Sequence, residues 1–216
     1  MSTSRAQASM FAGASAFNGD ISTWNVGKVT DFRFMFERAS QFNQDLSSWD
    51  TSSATDMGDM FNKASAFNGD ISTWPVAKVT SFNAMFIGAS QFNQDLSSWN
   101  TSSATRTSNM FFQASAFNGD ISSWSVGKVT DFGSMFFQAS QFNQSLSSWD
   151  TASGTRMFSM FAGASAFNGD ISTWNVGKVT DFRFMFERAS QFNQDLSSWD
   201  TSSARDMTQM FDGASA

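Results

Sequence analysis

The dipeptide Met-Phe recurs at Met10, Met35, Met60, Met85, Met110, Met135, Met160, Met185 and Met210, at intervals of 25 residues without one insertion. A single Trp keeps the same clock in each copy from Trp24 to Trp199, and a Phe-Asn pair does so from Phe17 to Phe192. So short a unit cannot bury its own apolar face, so copies must stack and share one core. The chain reads as one tandem-repeat domain, 1–216: a degenerate cap at 1–9, eight repeats over 10–209 and a partial repeat at 210–216.

A second clock runs at 50 residues. Odd copies read Phe-Asn-Gly-Asp-Ile-Ser, as at Phe17, and even copies read Phe-Asn-Gln-(Asp/Ser)-Leu-Ser, as at Phe42. Met10 to Ala54 is identical to Met160 to Ala204, which points to recent duplication or deliberate construction.

Within a copy, Val29, Phe32, Met35, Phe36 and Ala39 are spaced by three and four, the signature of one helix face. Thr30 suits an N-cap and Asp31 the first turn. Asp20 to Trp24 is short and turn-rich, and reads as a strand with Ile21 pointing inward. The expectation is an α/β solenoid of about eight coils, each a short strand and a short helix; an all-β solenoid is the alternative.

The phrases FNQDLSSWDTSSATDMGDMFNKAS and FNGDISTWNVGKVTDFRFMFERAS closely resemble BspA-like repeats of the mycoplasma-lipoprotein type, a divergent branch related to leucine-rich repeats. The resemblance runs from Met10 to Ala216. It implies a right-handed leucine-rich-repeat-like solenoid with a strand on one side of each coil. It also implies an extracellular or cell-surface protein, often linked to adhesion. No secretory signal and no lipobox Cys are read in the sequence, which puts membrane attachment in doubt.

Composition removes several functions. With no Cys and no His there are no disulfides, thiol nucleophiles, imidazole bases or zinc sites of the usual kind. A net charge of −6 and the lack of a basic stripe argue against nucleic acid, and no apolar run is long enough for membrane insertion. No cofactor is expected and no constellation breaks the symmetry as an active site would, so the chain reads as a non-enzyme.

The rows that repeat read as scaffold. The Trp row reads as core. The Asn row, Asn18 to Asn193, reads as a buried ladder serving backbone groups, which disfavours Asn143 as a glycan acceptor and leaves Asn100 as the better one. Asp20, Asp45, Asp70 and Asp95 begin a carboxylate row. Turn capping explains it better than calcium, for Ser145 replaces one member and the EF-hand pattern is absent. The Ser-(Ser/Thr) pairs read as a solvated face.

Function is expected where copies differ. Arg33 and Arg183 belong to one variable set; Ile87, Phe112 and Phe137 form a candidate apolar stripe on consecutive coils. These residues suggest a surface-presenting module for adhesion or for protein or glycan binding. A scaffold that associates end to end is the second expectation, and an ice- or mineral-binding solenoid the third.

Overall fold

The computed structural model describes residues 8–216, so most of the expected cap at 1–9 lies outside the described residues. Coils stack in register as the period requires. Neither expected architecture is present, however. Among the described residues none is helical, and β structure is confined to single-residue parallel bridges along one row: Asp31↔Asp56↔Ser81↔Arg106, then Asp131↔Arg156↔Asp181↔Asp206. The α/β reading, the all-β alternative and the strand-sided coil implied by leucine-rich repeats are all corrected. Among the described residues no helix is long and apolar enough to cross a membrane.

Each coil is a succession of tight turns. Local amides bond back three residues, or two as from Ser40 to Arg38, and never four: Trp24 to the Ile21 carbonyl, Val29 to Val26, Met35 to Phe32, Ala39 to Phe36 and Phe42 to Ala39. The apolar residues sit at the two ends of these turns. A spacing of three is shared by a helix face and by the first and last residues of a β-turn, which is why the pattern resembled a helix.

Segment 32–39 shows how such a chain satisfies its backbone without helix or strand. The amides of Phe32, Phe34, Phe36 and Arg38 donate forward to the carbonyls of Asp56, Gly58, Met60 and Asn62 on the next coil. The amides of Met35, Glu37 and Ala39 turn back onto Phe32, Phe34 and Phe36. The carbonyls of Arg33, Met35 and Glu37 accept from Ser9, Phe11 and Gly13 of the preceding coil. Alternate peptides therefore point along the stack and into the coil, and the buried polar groups are paired. The geometry demands left-handed backbone at two places per coil. Phe34, Asp59, Ala84 and Asn109 hold φ of 56–59° at the first. Arg38, Lys63 and Gln113 share the second with Gly88 and Gly163. Left-handed backbone costs a side-chain-bearing residue about 1–2 kcal/mol, so the stack must over-determine it.

The core is a set of ring ladders. Phe11, Phe36, Phe61 and their successors to Phe211 stack with centroids 5.4–5.7 Å apart. The second Phe row, Phe17 to Phe192, repeats at 5.8–5.9 Å. The two rows interlock within a coil, as in Phe61 with Phe67 at 3.8 Å. Trp49 to Trp199 stack at 6.1–6.4 Å. The indole of Trp74 also donates across the stack to the Leu46 carbonyl at 2.8 Å. The Trp row is thus core, as its uniformity suggested: Trp99 is 2% exposed, whereas Trp24 on the first coil is 41% exposed.

The 50-residue clock has a steric cause. Gln44 Nε2 reaches back to the carbonyl and the side-chain oxygen of Asn18, and Gln94, Gln144 and Gln194 repeat the contact. The next coil then passes so close that a Cβ at Gly69, Gly119 or Gly169 would lie 2.0 Å from the carbonyl oxygen of Gln44, Gln94 or Gln144. A side chain is required on one coil and forbidden on the next.

Three measurements test this architecture. Far-ultraviolet circular dichroism of the folded protein should lack the helical double minimum; its presence would refute the turn-built coil. Gly119→Ala should cost about 1–3 kcal/mol or more of unfolding free energy, because the obstacle is backbone that cannot rotate away. Trp99→Ala should cost about 3–5 kcal/mol, and Trp24→Ala clearly less. Equal losses at the two Trp positions would show that the ladder does not carry the core.

Candidate functional site

Most polar rows are consumed by the fold. The Asn row is a ladder: the Asn43 amide donates to Asn18 Oδ1 at 2.9 Å, and each Asn to Asn193 repeats the bond. Its side chains lie exposed at the coil edge rather than buried, Asn143 included. Asn100 is also exposed, and its Oδ1 accepts from the Ser102 amide.

Asp20, Asp45, Asp70 and Asp95 each accept the amide two residues on, at 2.8–2.9 Å. Ser145 does the same with its hydroxyl, at 3.5 Å from the Ser147 amide. These are turn caps. Two further cap rows pass through Asn25, Asp50 and Asn100 and through Asp31, Asp56 and Asp131. No cluster of acidic side chains able to hold a metal ion occurs among the described residues. The Ser/Thr row gives its protons to carbonyls of the preceding coil: Ser48 to Ser22, Thr73 to Ser47 and Ser123 to Ser97, at 2.6–3.1 Å.

The other proposed site residues lie on the outer side of the 33–38 segment and its equivalents. Arg33 is exposed but engaged, with Nε and Nη2 on the two oxygens of Asp31 at 3.0 and 2.7 Å and Nε 3.8 Å from Asp56. Arg183 holds Asp181 in the same way and approaches Asp206 at 3.6 Å. The guanidinium bonds hold the carboxyls of Asp31 and Asp181 below the usual aspartate range despite partial burial. Ile87, Phe112 and Phe137 are half-buried on successive coils. Phe112 and Phe137 stack at 4.5 Å, flanked by a Gln113–Gln138 side-chain bond of 2.8 Å.

One junction departs from the repeat, and row-by-row chemistry locates it. Thr107 stands where Met57, Met157 and Met207 occur in other even copies. Thr107 is 2% exposed, and its hydroxyl is buried without a hydrogen-bond partner. Beside it the backbone ladder opens. Thr55, Thr80, Thr105, Thr155 and Thr180 each donate an amide to the Thr one coil back, but no such bond joins Thr130 to Thr105. Phe82 donates to Arg106 and Phe132 to Arg156, but Thr107 does not donate to Asp131, and the bridge row breaks between Arg106 and Asp131. The opening is a groove of about 390 Å³ lined by Asn83, Thr105, Arg106, Ser108, Thr130, Asp131 and Arg156. Arg156 holds Asp131 at 2.5 Å, whereas Arg106 makes no ion pair among the described residues. A trough of similar size, about 410 Å³, lies over Ser122 to Lys128. There Ser123 and Lys128 already donate to the Ser97 and Ser102 carbonyls, so size does not separate the two sites and unspent polar groups do. Sequence reading missed this groove, although the phrase Thr-Arg-Thr-Ser at Thr105, set against Thr-Asp-Met-Gly at Thr55, carried the signal.

The geometry defines a tandem-repeat array of turn-built coils whose copies differ along one strip. The sequence matches the family described as "Mycoplasma protein of unknown function, DUF285" in three overlapping stretches, residues 2–86, 47–140 and 117–216. The chain belongs to that family. No curated protein matches it.

Asp59 supplies a test of the strip's electrostatics. Burial pushes its carboxyl above the ordinary aspartate value, the Asn62 amide opposes the shift, and Glu37 and Asp56 add to it. A raised carboxyl destabilises the fold once ionised, so the penalty is full at neutral pH. It disappears as pH falls through the folded value to about 3.9, where the unfolded chain is protonated as well. Asp59→Asn should therefore raise the melting temperature at pH 7 and leave it almost unchanged at pH 3. An equal gain at both pH values would rule out ionisation as the cause.

Proposed function

We propose that the protein is a non-catalytic binding module that presents the outer strip of its 33–38 segments to a protein or glycan at a cell surface. One observation carries the reading. The Asn, Asp and Ser/Thr rows spend their polar groups on the stack, whereas the outer strip holds the side chains that differ between copies, such as Glu37, Asn62, Ile87, Phe112 and Phe137. Positions where the fold tolerates different side chains can change at little cost to it, which is the condition for carrying specificity. The resemblance to BspA-like repeats supports adhesion and an extracellular setting. The matching family is described as being of unknown function and names no catalytic chemistry.

Phe112→Ser combined with Phe137→Ser should abolish retention on immobilised cell-surface glycans or proteins that hold the parent, with a modest fall in melting temperature from the lost half-buried stack that leaves the chain folded. Retention unchanged in the double variant would overturn the strip as the binding face. A second reading, end-to-end assembly, draws on Met10, Trp24, Met207 and Phe211, which are 41–48% exposed on the terminal coils. Sedimentation that shows only monomer across rising concentration would dismiss it.

A further inference from the structure

We propose that the groove at the junction of Thr105–Ser108 with Thr130–Asp131 binds the carboxylate of an acidic sugar. The inference rests on the reading of the chain as a binding module and names the ligand class that one site would take. The groove holds a guanidinium with no intramolecular carboxylate, Arg106, two coils from a second, Arg156. Arg156 leaves Arg106 to take the ligand, since its own partner, Asp131, lies between them. A planar guanidinium with free donors matches a carboxylate through two parallel bonds. Elsewhere around the opening the available groups are of both kinds. The Thr105 and Asp131 carbonyls lack the amide partners that their row-mates have, and the Thr107 and Thr130 amides lack their carbonyls. Thr130 does not close the gap with its hydroxyl, although Thr55, Thr80, Thr105, Thr155 and Thr180 each donate theirs to the Thr one coil back. Ser108 and Asn83 complete the wall, tied to each other at 2.6 Å.

A ligand that satisfies this set must bring acceptors to Arg106 and both donors and acceptors to the open backbone. A carboxylate attached to a polyhydroxylated ring does so, and a volume of about 390 Å³ accommodates one or two sugar rings. No aromatic side chain lines the groove, so recognition is by hydrogen bonds rather than by ring stacking. The site is held open by a residue that the fold would not choose: a Met at Thr107 would fill the core and remove a buried unpaired hydroxyl. Asn62 Oδ1 is the other buried side-chain atom without a hydrogen-bond partner, but Thr107 alone coincides with a parted backbone ladder beside an unpaired Arg, which is what singles out this junction.

The test uses the full chain, labelled for NMR, with a uronic-acid oligosaccharide, a neutral oligosaccharide of equal length and an acidic peptide as probes. The uronate should shift the Arg106 side-chain signal and the amides of Thr105, Thr107 and Thr130. Arg106→Gln should weaken its binding about tenfold or more, the loss of one charge-assisted contact. Thr107→Met should raise the melting temperature and weaken uronate binding by a similar factor, because the ladder closes. That pairing separates closure of the groove from damage to the fold. Equal binding of the neutral sugar overturns carboxylate recognition while leaving the binding-module reading intact. Binding of the acidic peptide alone overturns the sugar. Uronate affinity unchanged in Thr107→Met, or no uronate binding at all, overturns the groove as the site. The Phe112/Phe137 double variant still decides the broader reading independently.

Discussion

Alternate amides of the 32–39 segment bond forward to the next coil, and everything else in the molecule depends on that alternation. A helix or a strand pairing would satisfy this backbone in other ways. Here the Phe36 amide finds its acceptor only on Met60, 24 residues on, and the Phe36 carbonyl finds its donor in the turn closed by Ala39. One coil alone would leave half of these groups in water, while its apolar residues had nothing to pack against. Folding is therefore a property of the stack, and the strict period is its consequence. A single inserted residue would exchange the inward and the forward peptides and move every ring out of its ladder.

The ladders and the hydrogen bonds enforce each other. Rings spaced at 5.4–5.7 Å keep the coils close enough for amides to reach, and the amides keep the rings in register. Trp does both, stacking on its neighbour while its Nε1 donates to a carbonyl of the preceding coil. The same closeness excludes side chains at Gly69, Gly119 and Gly169, so the odd and even copies are two halves of one packing unit.

Against so saturated a background, an unsatisfied group carries information. Thr107 and the parted ladder beside Arg106 are tolerated because each coil is braced on both sides by regular junctions, so one local loss is spread over a long stack. Stability and recognition pull in opposite directions at this residue. The outer strip can vary for a different reason. Its left-handed positions, such as Arg38, Lys63 and Gly88, project from the coil and are set by backbone geometry rather than by side-chain identity.

The sequence by itself determined the stacking, the register and the identity of the core. Residues repeated in every copy, the Trp, Met-Phe and Phe-Asn rows, are those the stack needs, and the caps at Asp20 and its equivalents were legible because an Asx side chain bonds within two residues of itself. The secondary structure was not legible. Val29, Phe32, Met35, Phe36 and Ala39 keep a spacing that helices and chained turns share, and non-glycine residues such as Phe34 and Asn109 give no local sign of a left-handed backbone. Only the tertiary structure decided between those conformations, since the bonds that choose turns over helix run between coils. It alone placed the Asn row at an exposed edge and revealed the groove. A missing hydrogen bond between Thr107 and Asp131 exists only as a relation between neighbouring coils, so the Thr at 107 marks the junction in the sequence without showing that the ladder parts there.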